Sequence, residues 1–490
     1  MNYKTLGAGL LKYAALKDTV ELKDYQERAV KKIQDMGSLI VAHGTGTGKT
    51  VTSIAAAEKL KEQGKADKVL VIVPAALKSN FATQGVKKFT DSSVQIIETG
   101  KDNPSEKKDY LVVSSTLFSK DPEKYLKGRD TLILDEGHNA RNTASNLYKS
   151  LEGALPFLRN KIVLTASPYN NSPGDLAPLL NIVSGKTTLT PGSLNKYIEP
   201  VMKRTGFLGL GGKVRVNEKF NPPPELAEIL RRYVDYEPGD EQLPDVERDV
   251  VKVPMTKQQM RAYRYTWEGL PPEVKRAIQK DILPEKQDIF DFFSRIANAR
   301  LASNNPKALL NVPTDKPYEL SGKALYIKDN LKPSKNGLGD IIYSNYCKNA
   351  AELIAQLLED EEIEHSLLTG NLSSKQKDRE VKEFIEGKSK VLITTPTGKE
   401  GFSIPNARSV IIHDPHWNPE VTRQAMGRGV RINSLADKVI VKELIAVEPD
   451  EPPILGFIKR KKTPSVEEWM KSVSDKKKNL QKQVYEYFGR

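Results

Sequence analysis

The stretch His43-Gly44-Thr45-Gly46-Thr47-Gly48-Lys49-Thr50 constrains this chain more than any other. It follows a short apolar run, Leu39-Ile40-Val41-Ala42, and leads into Val51 to Leu60, where Ile54, Ala57 and Leu60 recur near helical spacing. The run predicts a buried strand and the segment after it a helix. Strand, glycine-rich turn, Gly-Lys-Thr and helix make a P-loop, whose glycines let backbone N–H groups curl around phosphate oxygens. The helix N-terminus adds positive potential at the same place. Gly44, Thr45, Gly46, Thr47 and Gly48 are then the cradle of a nucleoside triphosphate, Lys49 reaches its β- and γ-phosphates, and Thr50 ligates magnesium. One position departs from the pattern. The loop opens on His43 where glycine is usual, which reads as a tolerated variant whose backbone still fits.

At 490 residues the chain is too long for one typical core, so two or three domains are expected. A net charge of +13 and a pI near 9.3 suit a polyanionic partner, although basic surfaces also occur on intracellular proteins without one. Cys347 is the single cysteine, which excludes an internal disulfide and a zinc ribbon. Lys12 interrupts the apolar stretch from Leu6 to Leu16, and no run approaches the length of a membrane span. The expectation is a soluble intracellular protein that is not secreted.

Short apolar strands alternating with helices indicate a parallel sheet covered on both faces. Strands are expected at 68–73, 94–98, 110–114, 131–134 and 162–164, with one helix ending at Phe89. The rhythm breaks over 186–320, where Gly206, Gly209, Gly211 and Gly212 form a flexible turn among Lys203, Arg204, Lys213 and Arg215. It resumes with strands at 340–344, 365–368, 390–394, 409–413 and 442–447. The expected division is an N-terminal extension (1–17), a first α/β domain (18–185), a mixed, mainly helical bridging insertion (186–320), a second α/β domain (321–450) and a basic helical tail (451–490).

Two further clusters carry chemistry. Asp135-Glu136 ends an apolar strand, which suits Asp135 to hold magnesium and Glu136 to orient and deprotonate the attacking water. In Gln424 to Arg431 of the second domain, Arg428 and Arg431 share a helix face and suit arginine fingers on a γ-phosphate. His413-Asp414-Pro415-His416 reads as a structural strand end and not as metal ligands, and Trp267 and Trp469 as packing residues.

Taken together, these motifs resemble a superfamily 2 helicase-type ATPase, and within it the Swi/Snf family of double-stranded DNA translocases. Leu22 to Gln26 resembles the adenine-recognising Q motif, with Gln26 as the reader. Val71 to Phe81 resembles motif Ia and Ser114-Ser115-Thr116 motif Ib. Asp135 to Asn142 resembles motif II, with Gly137 where alanine is common, and Leu164 to Asn171 resembles motif III. Leu368-Thr369-Gly370 resembles motif IV. Thr395, Gly398, Gly401, Phe402 and Ser403 resemble motif V, and Asp414 with Trp417-Asn418-Pro419 leads into motif VI from Gln424.

The resemblance implies two RecA-like lobes using ATP and Mg2+, with Gly401 at the nucleotide and Gln424 in the catalytic set. It implies nucleic-acid contacts at Lys78, Ser115, Thr116, Thr369, Thr395 and Trp417. The activity implied is an ATP-driven motor along nucleic acid, double-stranded DNA before RNA, working as a monomer with little sequence preference. A compact chain of this kind resembles viral, phage or prokaryotic relatives, hence a prokaryotic or infected-cell cytoplasm. Two alternatives stay open: a strand-separating DNA or RNA helicase, and a non-catalytic nucleic-acid-binding component of a transcription or replication complex.

Overall fold

The computed structural model describes residues 16–17, 20–205, 211–239, 244–283, 289–331, 337–396, 404–427, 429–430, 434–450 and 463–489. The chain divides into two compact units, one of Met1–Ile198, Asn221–Asp240 and Gln483–Arg490, the other of Glu199–Phe220 and Glu241–Lys482.

The first unit is built on six apolar runs that form β1 (Ser38–His43), β2 (Val69–Val73), β3 (Val94–Ile96), β4 (Tyr110–Ser114), β5 (Thr131–Leu134) and β6 (Asn160–Leu164). After them, β7 (Ile198–Thr205) and β8 (Gly211–Phe220) form a two-stranded sheet where a loose turn was expected; residues 206–210 lie outside the described residues. The chain then supplies β9 (Val234–Glu237), which completes a seven-stranded sheet in the order β3-β4-β2-β5-β6-β1-β9. Every pairing in it is parallel.

All six residues of β1 are buried, as continuous hydrophobic runs require in a sheet covered on both faces. Each buried Val, Leu or Ile contributes about 1.5–3 kcal/mol, enough to hold the loop at the strand's end in place. The helix Lys49–Glu62 continues from that loop, and its Ile54, Ala55, Ala56, Ala57 and Leu60 are buried in the same core as Leu39 and Val41. Ala29, Val30 and Ile33 of the helix Asp24–Met36 join them. The single helix expected up to Phe89 is instead short α-helical at Lys78–Asn80, π-helical at Phe81–Val86 and α-helical again at Lys87–Phe89.

The outer side of β9 is partly occupied. Tyr236 N–H donates to Gly489 O (2.9 Å), and Gly489 N–H donates to Val234 O (2.9 Å). The Tyr236 ring packs on Tyr485 (4.6 Å between centroids) and Phe488 (5.9 Å).

The second unit holds a six-stranded, all-parallel sheet. Its strands are β10 (Asp245–Pro254), β11 (Gly339–Tyr343), β12 (His365–Leu368), β13 (Val391–Thr394), β14 (Ala407–Ile412) and β15 (Lys438–Val447). The order is β10-β15-β14-β11-β13-β12. Alternate residues supply opposite faces: Ile341 and Tyr343 enter one apolar cluster, Ile342 the other. The edge strand β10 is mostly exposed and carries Asp245, Glu247, Arg248, Asp249 and Lys252.

A third cluster gathers the helices Lys257–Glu268, Pro272–Lys280 and Ile289–Asn304 around Trp469 of the helix Val466–Tyr485. Trp469 is buried, with its Nε1–H donating to Ile282 O (3.2 Å), and Trp267 packs against the same cluster. Lys323 and Glu467, both buried, form an ion pair of 2.7 Å. The segment read as a bridge therefore contributes β9 to one sheet and β10 to the other. No helix among the described residues is long and apolar enough to cross a membrane.

Candidate active site

The loop 43–50 leaves the end of β1 and enters its helix at Gly48, whose φ of 76° needs the conformational freedom of glycine. Its carbonyls are engaged by side-chain donors. Lys49 Nζ donates to His43 O (2.9 Å) and Gly44 O (2.8 Å), Thr47 Oγ1 to Gly44 O (2.8 Å), and Gln26 Nε2 to Thr47 O (2.8 Å). Tyr25 Oη donates to the Thr47 carbonyl as well (3.2 Å). A trans peptide aims its N–H opposite to its C=O, so the amides of Thr45 and Gly48 face away from those donors. Thr45 and Gly46 are exposed at the tip. With the helix N-terminus behind it, this loop is fitted for a polyphosphate.

Asp135 follows β5 directly. Burial of its carboxyl, then the charge of Glu136, pushes its pKa up to about 6, while the Glu136 amide and the Lys49 ammonium pull the other way. Lys49 and Asp135 thus share one electrostatic neighbourhood. An enclosed carboxylate raised this far gains most from a cation, which fits a magnesium site completed by Thr50 and phosphate oxygens. Among the described residues there is no group of three or more His, Cys, Asp and Glu that would hold a metal without such help.

Glu136 adopts a left-handed backbone (φ 49°, ψ 49°), which a non-glycine residue keeps only where its surroundings impose it. Its Oε2 lies 3.1 Å from His138 Nδ1. Arg141 ties this turn to the segment after β6, donating to His138 O (2.9 Å) and Ser167 O (3.3 Å).

Gly137, where relatives commonly carry alanine, has a local cause. A Cβ there would lie 2.3 Å from Val163 Cγ1 on β6. Gly137→Ala is expected to lower the melting temperature and turnover together, since such overpacking costs about 1–3 kcal/mol and the displaced turn carries Glu136. Val163→Ala in the same chain should restore most of both. Unchanged melting and turnover in Gly137→Ala would refute the contact.

The sequence did not disclose the contribution of β9. Asp235, fully buried, accepts from Arg28 Nε (3.0 Å) and Lys32 Nζ (2.7 Å), and its Oδ2 lies 2.8 Å from His43 Nε2. At the strand's last residue, Glu237 O accepts from Gly44 N–H (2.8 Å). A Cβ on Gly44 would lie 2.1 Å from Pro238 O. The one legible signal was an aspartate inside the short run Val234-Asp235-Tyr236-Glu237.

The other expected site residues fall in both units. Gln26 is buried and braces the loop through Thr47. The Lys78 ammonium turns inward to Ile97 O (2.7 Å), Glu98 O (3.2 Å) and Glu98 Oε2 (2.6 Å). Those three acceptors match its three donors in this arrangement. Ser115 is half-buried and Thr116 exposed after β4, whereas Thr369 and Thr395 are buried. Trp417 lies under Lys477 Nζ (3.8 Å to the ring centroid). His413 and Asp414 are buried, and Asp414 accepts from Ser344 Oγ (2.5 Å) and the Asn345 amide (3.0 Å). Gln424 is half-buried on the helix Pro419–Met426. Gly401, Arg428 and Arg431 lie outside the described residues, as do Gly398, Phe402, Ser403 and the basic run 459–462.

Residues 25–308 match the family model described as the SNF2-related domain, well over half of the chain. The chain belongs to the SNF2-related family. Residues 322–433 match the helicase conserved C-terminal domain. The protein of Acanthamoeba polyphaga mimivirus that bears the name ATP-dependent RNA helicase L538 is 26% identical over 423 residues, 85% of this chain and 86% of that relative. The Saccharomyces cerevisiae transcription regulatory protein SNF2 is 25% identical over 489 residues, 89% of this chain but 27% of the much longer relative. Among solved structures, the Sulfolobus solfataricus SWI2/SNF2 ATPase core in complex with dsDNA aligns over 96% of this chain and 98% of that one, at 20% identity and a TM-score of 0.41. This SNF2-related protein is a helicase-like ATPase of two parallel-sheet units.

Proposed function

We propose that this SNF2-related ATPase couples ATP hydrolysis to movement along nucleic acid, with double-stranded DNA as its track. The observation that carries the reading is that the charges of Lys49 and Glu136 both reach the Asp135 carboxyl, in a chain matching the SNF2-related domain. Gly44 to Thr50 would cradle the triphosphate, with Gln26 at its base. Lys49 would leave the His43 and Gly44 carbonyls for the β- and γ-phosphates. Thr50 and Asp135 would hold magnesium, which when bound neutralises phosphate charge.

Glu136 orients the attacking water and takes its proton, with the His138 imidazole 3.1 Å away. Arg428 and Arg431 belong to this reading as arginine fingers, supported by motif VI alone. Gln424 and Gly401 complete it on the same basis.

The track is tested by ATPase rates with duplex DNA, single-stranded DNA and duplex RNA, each across a salt series. Duplex DNA should stimulate most, with weak sequence preference and a steep loss of binding as salt rises. A triplex strand should be displaced while a forked duplex stays paired. The name of the mimiviral relative favours a second reading, RNA strand separation; best stimulation by duplex RNA, with unwinding, would establish that instead. ATP turnover unmoved by any nucleic acid would remove both motor readings.

A further inference from the structure

We propose that Asp235 is a positioning residue of the P-loop: through His43 it holds the loop's first turn in the shape that receives a nucleotide. That last clause rests on the nucleotide-binding reading above; the hold on the loop does not.

His43 is the last residue of β1, so the direction of its side chain and the exit of the loop are set together. The imidazole is fully buried, with Nε2 2.8 Å from Asp235 Oδ2 and Tyr25 edge-on at 5.5 Å. Burial, followed by the nearby charges of Lys49 and Arg28, outweighs Asp235 and lowers the His43 pKa, so the ring is neutral near pH 7. A neutral ring with its proton on Nε2 donates to Asp235 and leaves at Nδ1 only a lone pair, which has no hydrogen-bond partner.

Asp235 is itself immobilised. Its Oδ1 receives Arg28 Nε and Lys32 Nζ, and its Oδ2 receives Arg28 Nη2 (3.1 Å) along with His43. Burial would raise its pKa, but the hydrogen bonds from His43, Arg28 and Lys32 bring it to about 2. The carboxylate is therefore a fixed, charged acceptor. From it the chain of contact runs through the ring to the His43 carbonyl, one of the two oxygens on which the Lys49 ammonium rests. A glycine at the loop's first position has no side chain to tether in this way; His43 and Asp235 make a matched pair.

The test uses the full chain and four variants: Asp235→Ala, His43→Leu, the double variant, and His43→Gln, whose amide reaches where Nε2 does. Amide hydrogen exchange over residues 44–48, ATP binding by calorimetry, kcat with KM, and the melting temperature are measured. Asp235→Ala should speed exchange in the loop and raise the Kd and KM for ATP about tenfold, with kcat within about twofold. His43→Leu should do the same, the double variant no more, and His43→Gln should stay near wild type. If Asp235→Ala does not fold, Asp235→Asn should give the same pattern at about threefold.

Wild-type loop exchange in folded Asp235 variants would overturn the assignment. So would defects that multiply in the double variant, because two independent residues would then be acting. A loop loosened in Asp235→Ala, in a protein whose wild type binds no ATP, would uphold the tether and sink the nucleotide reading instead.

Discussion

Glu136→Gln should leave ATP binding intact and cut turnover roughly 10³-fold, within the range that general acid–base catalysis contributes. The amide keeps the size and one acceptor oxygen of the carboxylate, so the left-handed turn that presents it has no steric reason to change. What it loses is the capacity to take a proton from water. On the proposed reading, Asp135 would still serve the cation and Lys49 the phosphates. Single-turnover hydrolysis beside an equilibrium ATP titration separates the two effects. Turnover within a few-fold of wild type would take Glu136 out of the base role and turn attention to Asp135.

Gly44→Ala should weaken ATP binding tenfold or more while the rest of the fold persists. The added methyl would lie 2.1 Å from Pro238 O and 2.9 Å from Pro238 C, both of them backbone atoms. Neither can rotate away, because β9 is registered against β1 up to the pair His43–Glu237. Either the loop shifts or β9 does, and overpacking of this kind costs about 1–3 kcal/mol, up to roughly a hundredfold in affinity if the loop yields. Gly153→Ala is the matched control: it lies in the helix Asn146–Ala154 with nothing near its missing Cβ, so it should be neutral or slightly stabilising. An ATP affinity unchanged in folded Gly44→Ala would mean that β9 gives way and the loop does not depend on it.

Both parallel sheets were legible because most of their inner strands, such as β1, β2 and β13, are short apolar runs that a doubly covered sheet buries. The places of the loop, Asp135 and Glu136 were legible because each lies within a few residues of the strand end that presents it. β9 was not. Val234-Asp235-Tyr236-Glu237 is four residues long and half charged, and the burial of Asp235 makes sense only with Arg28, Lys32 and His43, which lie 207, 203 and 192 residues away. His43 shows the same limit from the other side, since a departure from a motif seems tolerable until its partner is known. Lys78 was read as a nucleic-acid contact from the resemblance of its segment to motif Ia, and what the segment alone did not show is that the carbonyls of Ile97 and Glu98 take its ammonium inward. Gly137 could be noted as unusual, whereas the Val163 methyl that forbids a side chain there belongs to a different strand.

The edges of the two sheets bear on how the protein behaves when crowded. A parallel sheet whose last strand is bare offers that strand to any extended chain, a second copy of the same protein included. Here the open side of β9 is already taken in part by Gly489, and the outer strand β10 carries five charged residues before it closes on Pro254. Both devices discourage edge-to-edge addition at β9 and at β10, the strands through which the middle of the chain joins each sheet.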